Sequence, residues 1–421
     1  MLKRLNIKSD FVKNSATLIS GTVLAQLIPI LLQPVLRRIY SAEDFGALAI
    51  YLNLFGVITI ISSLRYEAAI MLPKQHNQAA NVVGLSFVIN LIVNTFIFLI
   101  LLIALKPICN FIGLNDKYSL YLFFLPLSGL AYGLFQNINY WLIRQKAFKA
   151  STQNKISRRV VEGSTQLITG FAQLKGGLFY GDLAGNLANV ISGFNQIRKN
   201  HFKWTYLSKT RIKWAFKKYR EFPLYNALPT LASSLATTLP YIYINKFYST
   251  EAVGQIDLTR LALSVPLVFV SSTLSQILFQ DITERKAHKK PVFNVLKKVM
   301  FIVLAVFISE VLVVDLIAPH LFAFVFGEPY RISGEYGKWL VLSFGFNFIT
   351  STFSFLLITF QKLKLNAIWQ ITYLIGMGSL YYFGHLPIIQ FIQLFIAIDI
   401  TFQLILILLF AYSVKEYQQA L

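Results

Sequence analysis

Apolar residues in this chain come in long unbroken runs, not in the one-sided stripes of soluble helices or the alternation of strands. The runs fall near 14–36, 45–64, 80–105, 119–143, 157–174, 176–197, 222–245, 254–280, 293–318, 339–360, 366–384 and 387–413. A helix needs roughly 20 apolar residues to cross the hydrocarbon core of a bilayer. The pattern therefore predicts an all-α integral membrane fold with about twelve transmembrane helices. Between the sixth and seventh runs the period changes. Ile212, Ala215, Phe216 and Tyr219 recur at i, i+3, i+4 and i+7, and Arg211, Lys213, Lys217, Lys218 and Arg220 surround them. That spacing predicts a basic amphipathic helix on the inner membrane surface. The plainer alternative is a solvated linker that only fixes topology.

A motif repeats at half the chain length. Tyr40-Ser41-x-Glu43-x-x-Gly46 recurs as Tyr248-Ser249-x-Glu251-x-x-Gly254, each copy between two apolar runs. The repeat predicts two similar lobes, 1–197 and 222–421, joined by a cytoplasmic linker over 198–221. With six helices per lobe the two halves run parallel, related by a pseudo-two-fold axis along the membrane normal. Transporters are often built this way.

Composition supports the membrane assignment. The chain of 421 residues is 56% hydrophobic and 14% charged, against about 25% charged in soluble domains. Most of the 39 Lys and Arg fall on one side of the twelve-helix scheme. The positive-inside rule makes that side cytoplasmic and places both termini there. The net charge of +21 is thus explained by topology and by contact with anionic lipids, not by nucleic acid. The basic segment from Lys3 to Lys13 precedes a run long enough to span and no small-residue cleavage pattern, so the first helix is expected to remain uncleaved. One Cys and five scattered His give no disulfide and no metal cluster, and no cofactor is expected.

Ionisable groups inside membrane helices are costly and default to functional candidates. Glu162 follows Arg158 and Arg159 in the fifth run, and Asp182 lies early in the sixth. Asp257 and Arg260 share one turn of the eighth, Glu310 and Asp315 lie in the ninth, and Asp399 is central in the twelfth. Arg65 and Glu67 close the second run and Arg144 closes the fourth, whereas Arg37, Arg38 and Lys246 read as interfacial snorkels. Asn90, Asn94, Gln136, Asn137 and Asn139 can line a polar path or join helices by hydrogen bonds. Pro29, Pro34, Pro240 and Pro266 can mark bending points, or simply reflect membrane-helix composition.

Three stretches carry a family resemblance: Gln33-Pro34-Val35-Leu36-Arg37-Arg38-Ile39-Tyr40-Ser41-Ala42-Glu43-Asp44-Phe45-Gly46, Ser63-Leu64-Arg65-Tyr66-Glu67-Ala68-Ala69-Ile70-Met71-Leu72-Pro73, and the segment from Tyr219-Arg220-Glu221-Phe222-Pro223 through Gly254 to Arg260 and Pro266. Together they resemble bacterial polysaccharide and O-antigen flippases of the multidrug/oligosaccharidyl-lipid/polysaccharide exporter superfamily. The resemblance implies two six-helix lobes around a central cavity. It also implies a substrate, undecaprenyl-diphosphate-linked oligosaccharide, moved from the inner to the outer leaflet of the cytoplasmic membrane by alternating access. The product would feed O-antigen, capsule or exopolysaccharide assembly, alongside the glycan polymerase and glycosyltransferases of the same pathway.

On that reading the diphosphate is the constant element among varied glycans, and arginine suits it through planar bidentate hydrogen bonds. Arg65 and Arg260 are the first candidates for phosphate contact, with Arg144 at the inner mouth and Glu67 and Asp257 beside them. The competing reading pairs Arg65 with Glu67 and Arg260 with Asp257 structurally. Glu162, Asp182 and Asp399 are candidates for ion coupling or for lining the cavity. A multidrug or small-cation exporter on the same fold is the alternative, disfavoured because the first run holds no acidic residue. An enzyme is not expected: the sequence has no long outer loop, no Asp-x-Asp motif and no phosphate-binding glycine loop.

Overall fold

A computed structural model describes residues 21, 24–221, 223, 227–419 and 421. The basic N-terminal segment Lys3–Lys13, most of the start of the first apolar run, and Phe222, Leu224 and Tyr225 lie outside the described residues. Among the described residues there are no strands. Besides shorter turns, the described residues form twelve long helices and one short amphipathic helix, in order: α1 (24–39), α2 (Ala42–Ser62), α3 (His76–Ile112), α4 (Phe124–Arg144), α5 (Phe148–Phe171), α6 (Gly177–Lys199), α7 (Lys209–Lys218), α8 (Leu228–Phe247), α9 (Thr250–Ala287), α10 (Phe293–Phe326), α11 (Arg331–Phe353), α12 (Leu363–Ser379) and α13 (Ile388–Gln419). Seven of them, two counted with their flanking turns, are long and apolar enough to cross a membrane. Others fall short for visible reasons. Helix α12 has 17 residues, and α5 carries Lys155, Arg158, Arg159 and Glu162.

The chain divides into two compact units, 1–231 and 232–421. Each has the same internal pairing. In the first, α4 packs on α2, α3 and α6, and α5 packs on α6. In the second, α11 packs on α9, α10 and α13, and α12 packs on α13.

The repeated motif builds the same corner in each unit. Ser41 caps α2: its hydroxyl accepts from the Asp44 amide at 3.1 Å, and the Asp44 carboxylate accepts from the Ser41 amide at 3.1 Å. Ser249 caps α9 by accepting from the Ala252 amide at 3.0 Å. Such caps satisfy backbone donors that a helix start leaves unpaired. The preceding tyrosines act as struts. Tyr40 donates to the Gln166 carbonyl and Tyr248 to the Leu386 carbonyl, each at 2.7 Å.

The stretch 319–338, which separates the ninth and tenth apolar runs, is almost wholly helical, because α10 continues to Phe326 and only Gly327, with φ of 108°, breaks the path before Glu328–Tyr330. Pro240 and Pro266 sit inside continuous helices. The departure from helical geometry instead lies at Ala104 in α3, three residues before Pro107, where the proline ring crowds the preceding turn.

Helix α7 docks on α3. The Asn81 side chain clamps the segment leading into it, donating to the Tyr206 carbonyl at 2.8 Å and accepting from the Ser208 amide at 2.9 Å. Gly84 leaves room for Leu207 and Ile212, whose atoms would lie 2.9 and 3.3 Å from an added Cβ. Ala215 and Tyr219 are buried, while Phe216 and Trp214 are exposed beside the lysines. The apolar stripe is therefore split: three of its members pack inward and Phe216 faces out.

Candidate functional sites in the two units

In the first unit, α2, α4, α5 and α6 converge on Asp182, which is 1% exposed. Its Oδ2 lies 3.1 Å from the Tyr51 hydroxyl and accepts from Ser128 and from the Asn186 amide, each at 3.1 Å. Its Oδ1 faces Arg158 Nη2 at 3.5 Å. Arg158 in turn approaches Glu162 at 4.0 Å, and Arg159 pairs with Glu162 at 2.8 Å. Two guanidinium groups thus meet two carboxylates in a nearly buried, self-neutralising group. Such an arrangement tolerates loss of water only while every partner stays in place.

Glycines set its geometry. Gly177, Gly181 and Gly185 recur every fourth residue on α6. A Cβ at Gly181 would lie 2.9 Å from the Glu162 carbonyl oxygen, and one at Gly185 would lie 3.0 Å from the Arg158 carbonyl oxygen. The backbone of α5 therefore passes over α6 at close range. Spaced small residues permit this kind of approach in membrane helices.

The second unit repeats the theme without the arginines. Asp399 on α13 is 3% exposed. Its Oδ2 accepts from Ser343 at 2.5 Å, and its Oδ1 accepts from Tyr373 at 2.7 Å and from the Gln403 amide at 3.4 Å. Gln403 accepts from Thr350 at 2.7 Å. Each carboxylate thus sits on the sixth long helix of its half and meets a serine on the fourth, a tyrosine, and an amide four residues further along. Among the described residues, no cation pairs with Asp399.

The other candidates separate. Arg65 lies at a sharp reversal after α2, where Leu64 and Arg65 take φ of 49° and 62°. Non-glycine residues in this region cost about 1–3 kcal/mol each. Arg65 faces Glu67 at 3.9 Å, and Glu67 is buried and accepts from the Ser63 hydroxyl. Arg144 spreads its guanidinium over backbone, donating to the carbonyls of Ile70, Met71 and Lys74 at 3.2–3.3 Å. It braces α4 against the turn Tyr66–Met71, so its geometry fits a structural clamp.

In the second unit, Arg260 pairs with Asp257 at 2.8 Å and lies over the Tyr241 ring at 5.3 Å. Its side chain is still 41% exposed, against 16% for Asp257. Of the predicted snorkels, Arg37 is buried, bonded to Gln33 at 3.0 Å and 3.7 Å from the Phe45 ring centroid. Asn90 donates to the Leu130 carbonyl at 2.9 Å, and Asn139 accepts from Ser151 at 2.5 Å. Both asparagines join helices.

Sequence reasoning did not single out Tyr51, Ser128, Ser343, Tyr373 or Gln403. These residue types are ordinary in membrane helices, and only the fold brings them to a carboxylate. The signal that could have found the site is the four-residue spacing of Gly177, Gly181 and Gly185 around Asp182. Among the described residues, no group of His, Cys, Asp and Glu is placed to hold a metal ion.

Comparison with solved structures places this fold. An inward-facing multidrug resistance MATE family transporter of the MOP superfamily is 14% identical, covers 94% of this chain and 96% of its own, and superposes with a TM-score of 0.73. The lipid II flippase MurJ, in an inward closed conformation, is 12% identical with a TM-score of 0.71 over 96% of this chain and 87% of its own. The Vibrio cholerae MATE transporter VcmN is 12% identical with a TM-score of 0.62 over 100% of this chain and 99% of its own. At these identities the likeness is one of fold, and the fold is that of multi-pass membrane transporters. No curated protein matches the sequence. The profile of a family described as polysaccharide biosynthesis protein matches residues 35–332. That match spans both copies of the repeated corner, the α6 glycines and the Asp257–Arg260 pair, and with it the chain belongs to the polysaccharide biosynthesis protein family.

Proposed function

We propose that this chain is a flippase that moves undecaprenyl-diphosphate-linked oligosaccharide from the inner to the outer leaflet of the bacterial cytoplasmic membrane, by alternating access and with both termini cytoplasmic. Membership of a polysaccharide biosynthesis family supports the glycan, and the transporter fold supports the movement. The observation that carries the reading is Arg260. It lies ten residues into α9, roughly 15 Å along the helix at 1.5 Å per residue, and its side chain is 41% exposed. Asp257 meets one edge of the guanidinium at 2.8 Å, and the exposed remainder is costly at that depth unless it too faces water or an anion. A phosphate oxygen meets its bidentate geometry.

Arg65 is the second contact on this reading, held by the strained turn at the end of α2. Asp257 and Glu67 orient the two guanidinium groups. Arg144 acts indirectly, by fixing the turn that carries Glu67. Asp182 with Glu162, and Asp399, are the groups available for coupling to an ion. The glycan polymerase and glycosyltransferases of the same pathway would consume and supply the substrate, whether for O-antigen, capsule or exopolysaccharide.

The test is the leaflet distribution of the lipid-linked oligosaccharide with the protein present and depleted. Inner-leaflet accumulation on depletion, relieved by the intact protein, is the expected result. An unchanged distribution in a strain with no second flippase would overturn the proposal, and altered drug susceptibility in that strain would favour an exporter.

A further inference from the structure

We propose that the second unit carries a binding groove for one anionic phospholipid, with an acyl chain along α10, α11 and α13 and the phosphate between Lys297 and Lys415. The groove has a volume of about 720 Å³. Its floor includes Leu296, Met300, Leu304, Phe353, Phe410 and Val414. Leu296, Phe353, Phe410 and Val414 are at most 8% exposed, so the surface is concave and packed beneath. A convex helix face accepts any lipid tail. A groove with a preformed apolar floor accepts one chain and holds it longer.

The groove is polar at one end. Lys297 and Lys415 line it there and are exposed. Among the described residues, neither ammonium has an ion-pair partner. Lys289, Lys290 and Lys298 lie close by in sequence. The positive-inside rule assigns this end to the inner leaflet. The end is also anchored, because Tyr417 donates to the Lys290 carbonyl at 3.1 Å. Gln418 also sets its side-chain amide against the Val292 and Phe293 amides, at 2.7 and 3.2 Å.

Charge type chooses the occupant. Two lysines are separate, mobile point charges, which suit the single negative charge of a phosphodiester. A diphosphate is matched better by the planar fork of arginine, and no arginine lines this groove. An anionic glycerophospholipid of the inner leaflet therefore fits better than a polyprenyl diphosphate.

Native mass spectrometry of the purified full chain tests this, using phosphatidylglycerol, phosphatidylcholine and a polyprenyl diphosphate in competition. Wild type should retain one phosphatidylglycerol in preference to phosphatidylcholine. Lys297→Gln combined with Lys415→Gln should weaken that retention by roughly tenfold to thirtyfold, from about 1 kcal/mol per basic residue at an anionic headgroup. Ala411→Trp, which fills the groove without touching charge, should also remove the bound lipid. Equal retention of both phospholipids by wild type and both variants would overturn the proposal. So would displacement of phosphatidylglycerol by polyprenyl diphosphate at equal concentration, which would make the groove a seat for the substrate's tail. Neither readout requires transport, so a failure here is separable from a failure of the flippase reading.

Discussion

Arg260 and Asp182 are both charged groups in membrane helices, yet their surroundings set different expectations. Arg260 has one neutralising partner and an exposed face. Replacing it with Ala should leave membrane levels normal and lower transport about tenfold to a hundredfold, the worth of a charge-assisted hydrogen bond of about 1.5–3 kcal/mol. Arg260→Lys should recover only part of the loss, because the bidentate geometry is gone. Wild-type transport in the leaflet assay by Arg260→Ala would remove the residue from the site. Asp182 is enclosed, so its neutralisation should appear first as instability. Asp182→Asn leaves Arg158 buried with Glu162 alone, and breaking such a buried pair costs about 3–5 kcal/mol. A fall in thermal stability in detergent is the expected outcome. Asp399 lacks a cationic partner among the described residues, so Asp399→Asn should cost far less stability than Asp182→Asn. Comparison of the two melting temperatures checks that ordering. The sequence marked both aspartates as buried acids in apolar runs. It did not separate them, because the difference lies in which neighbouring helix brings an arginine.

At the scale of elements, the α5–α6 contact and the repeated helix starts do most of the positioning. A Cβ at Gly185 would come within 2.8 Å of the Glu162 Cβ and 3.0 Å of the Arg158 backbone. Gly185→Leu must therefore push α5 away, with an overpacking cost of about 1–3 kcal/mol or more. Because Arg158 and Glu162 ride on α5, the same change should disturb their pairing with Asp182. Gly56 meets nothing within 4 Å, and Gly56→Ala serves as the control in the same unfolding measurement. The Tyr-Ser corner was legible as a repeat but not as a mechanism. Only the structure gives the reason: serine caps a helix start and tyrosine ties it to a carbonyl more than a hundred residues away. Proline positions were less informative, since Pro240 and Pro266 leave their helices continuous while Pro107 accompanies the break at Ala104.

For the whole molecule, the parallel repeat has a direct consequence. Accessibility tags inserted after residue 40 and after residue 248 should report the same side of the membrane, and opposite sides would contradict a parallel pair of six-helix units. Helix α7 belongs to the first of the two compact units, held by Asn81 and the gap at Gly84. Removing its exposed positive charge, for example by Lys213→Gln with Lys217→Gln, should weaken association of the segment with anionic lipid and leave the fold of that unit intact. Reduced crosslinking from Trp214 to anionic lipid, with an unchanged melting temperature, is the outcome to measure.

The sequence alone determined the solvent, the fold class, the number of long helices and the existence of two similar halves. It could do so because apolar run length, the one-sided distribution of lysine and arginine, and a repeated short motif are properties of the chain read along its length. It also marked most of the charged residues that matter, since a charge within an apolar run is conspicuous wherever the run folds. The tertiary structure decided which of those charges are enclosed and which stay exposed. It paired Arg158 with Asp182, left Asp399 to hydroxyl and amide donors, turned Arg144 into a backbone clamp and kept Arg260 half open. Each of these outcomes depends on side chains from different helices meeting, and no spacing along one helix encodes the neighbour across the gap.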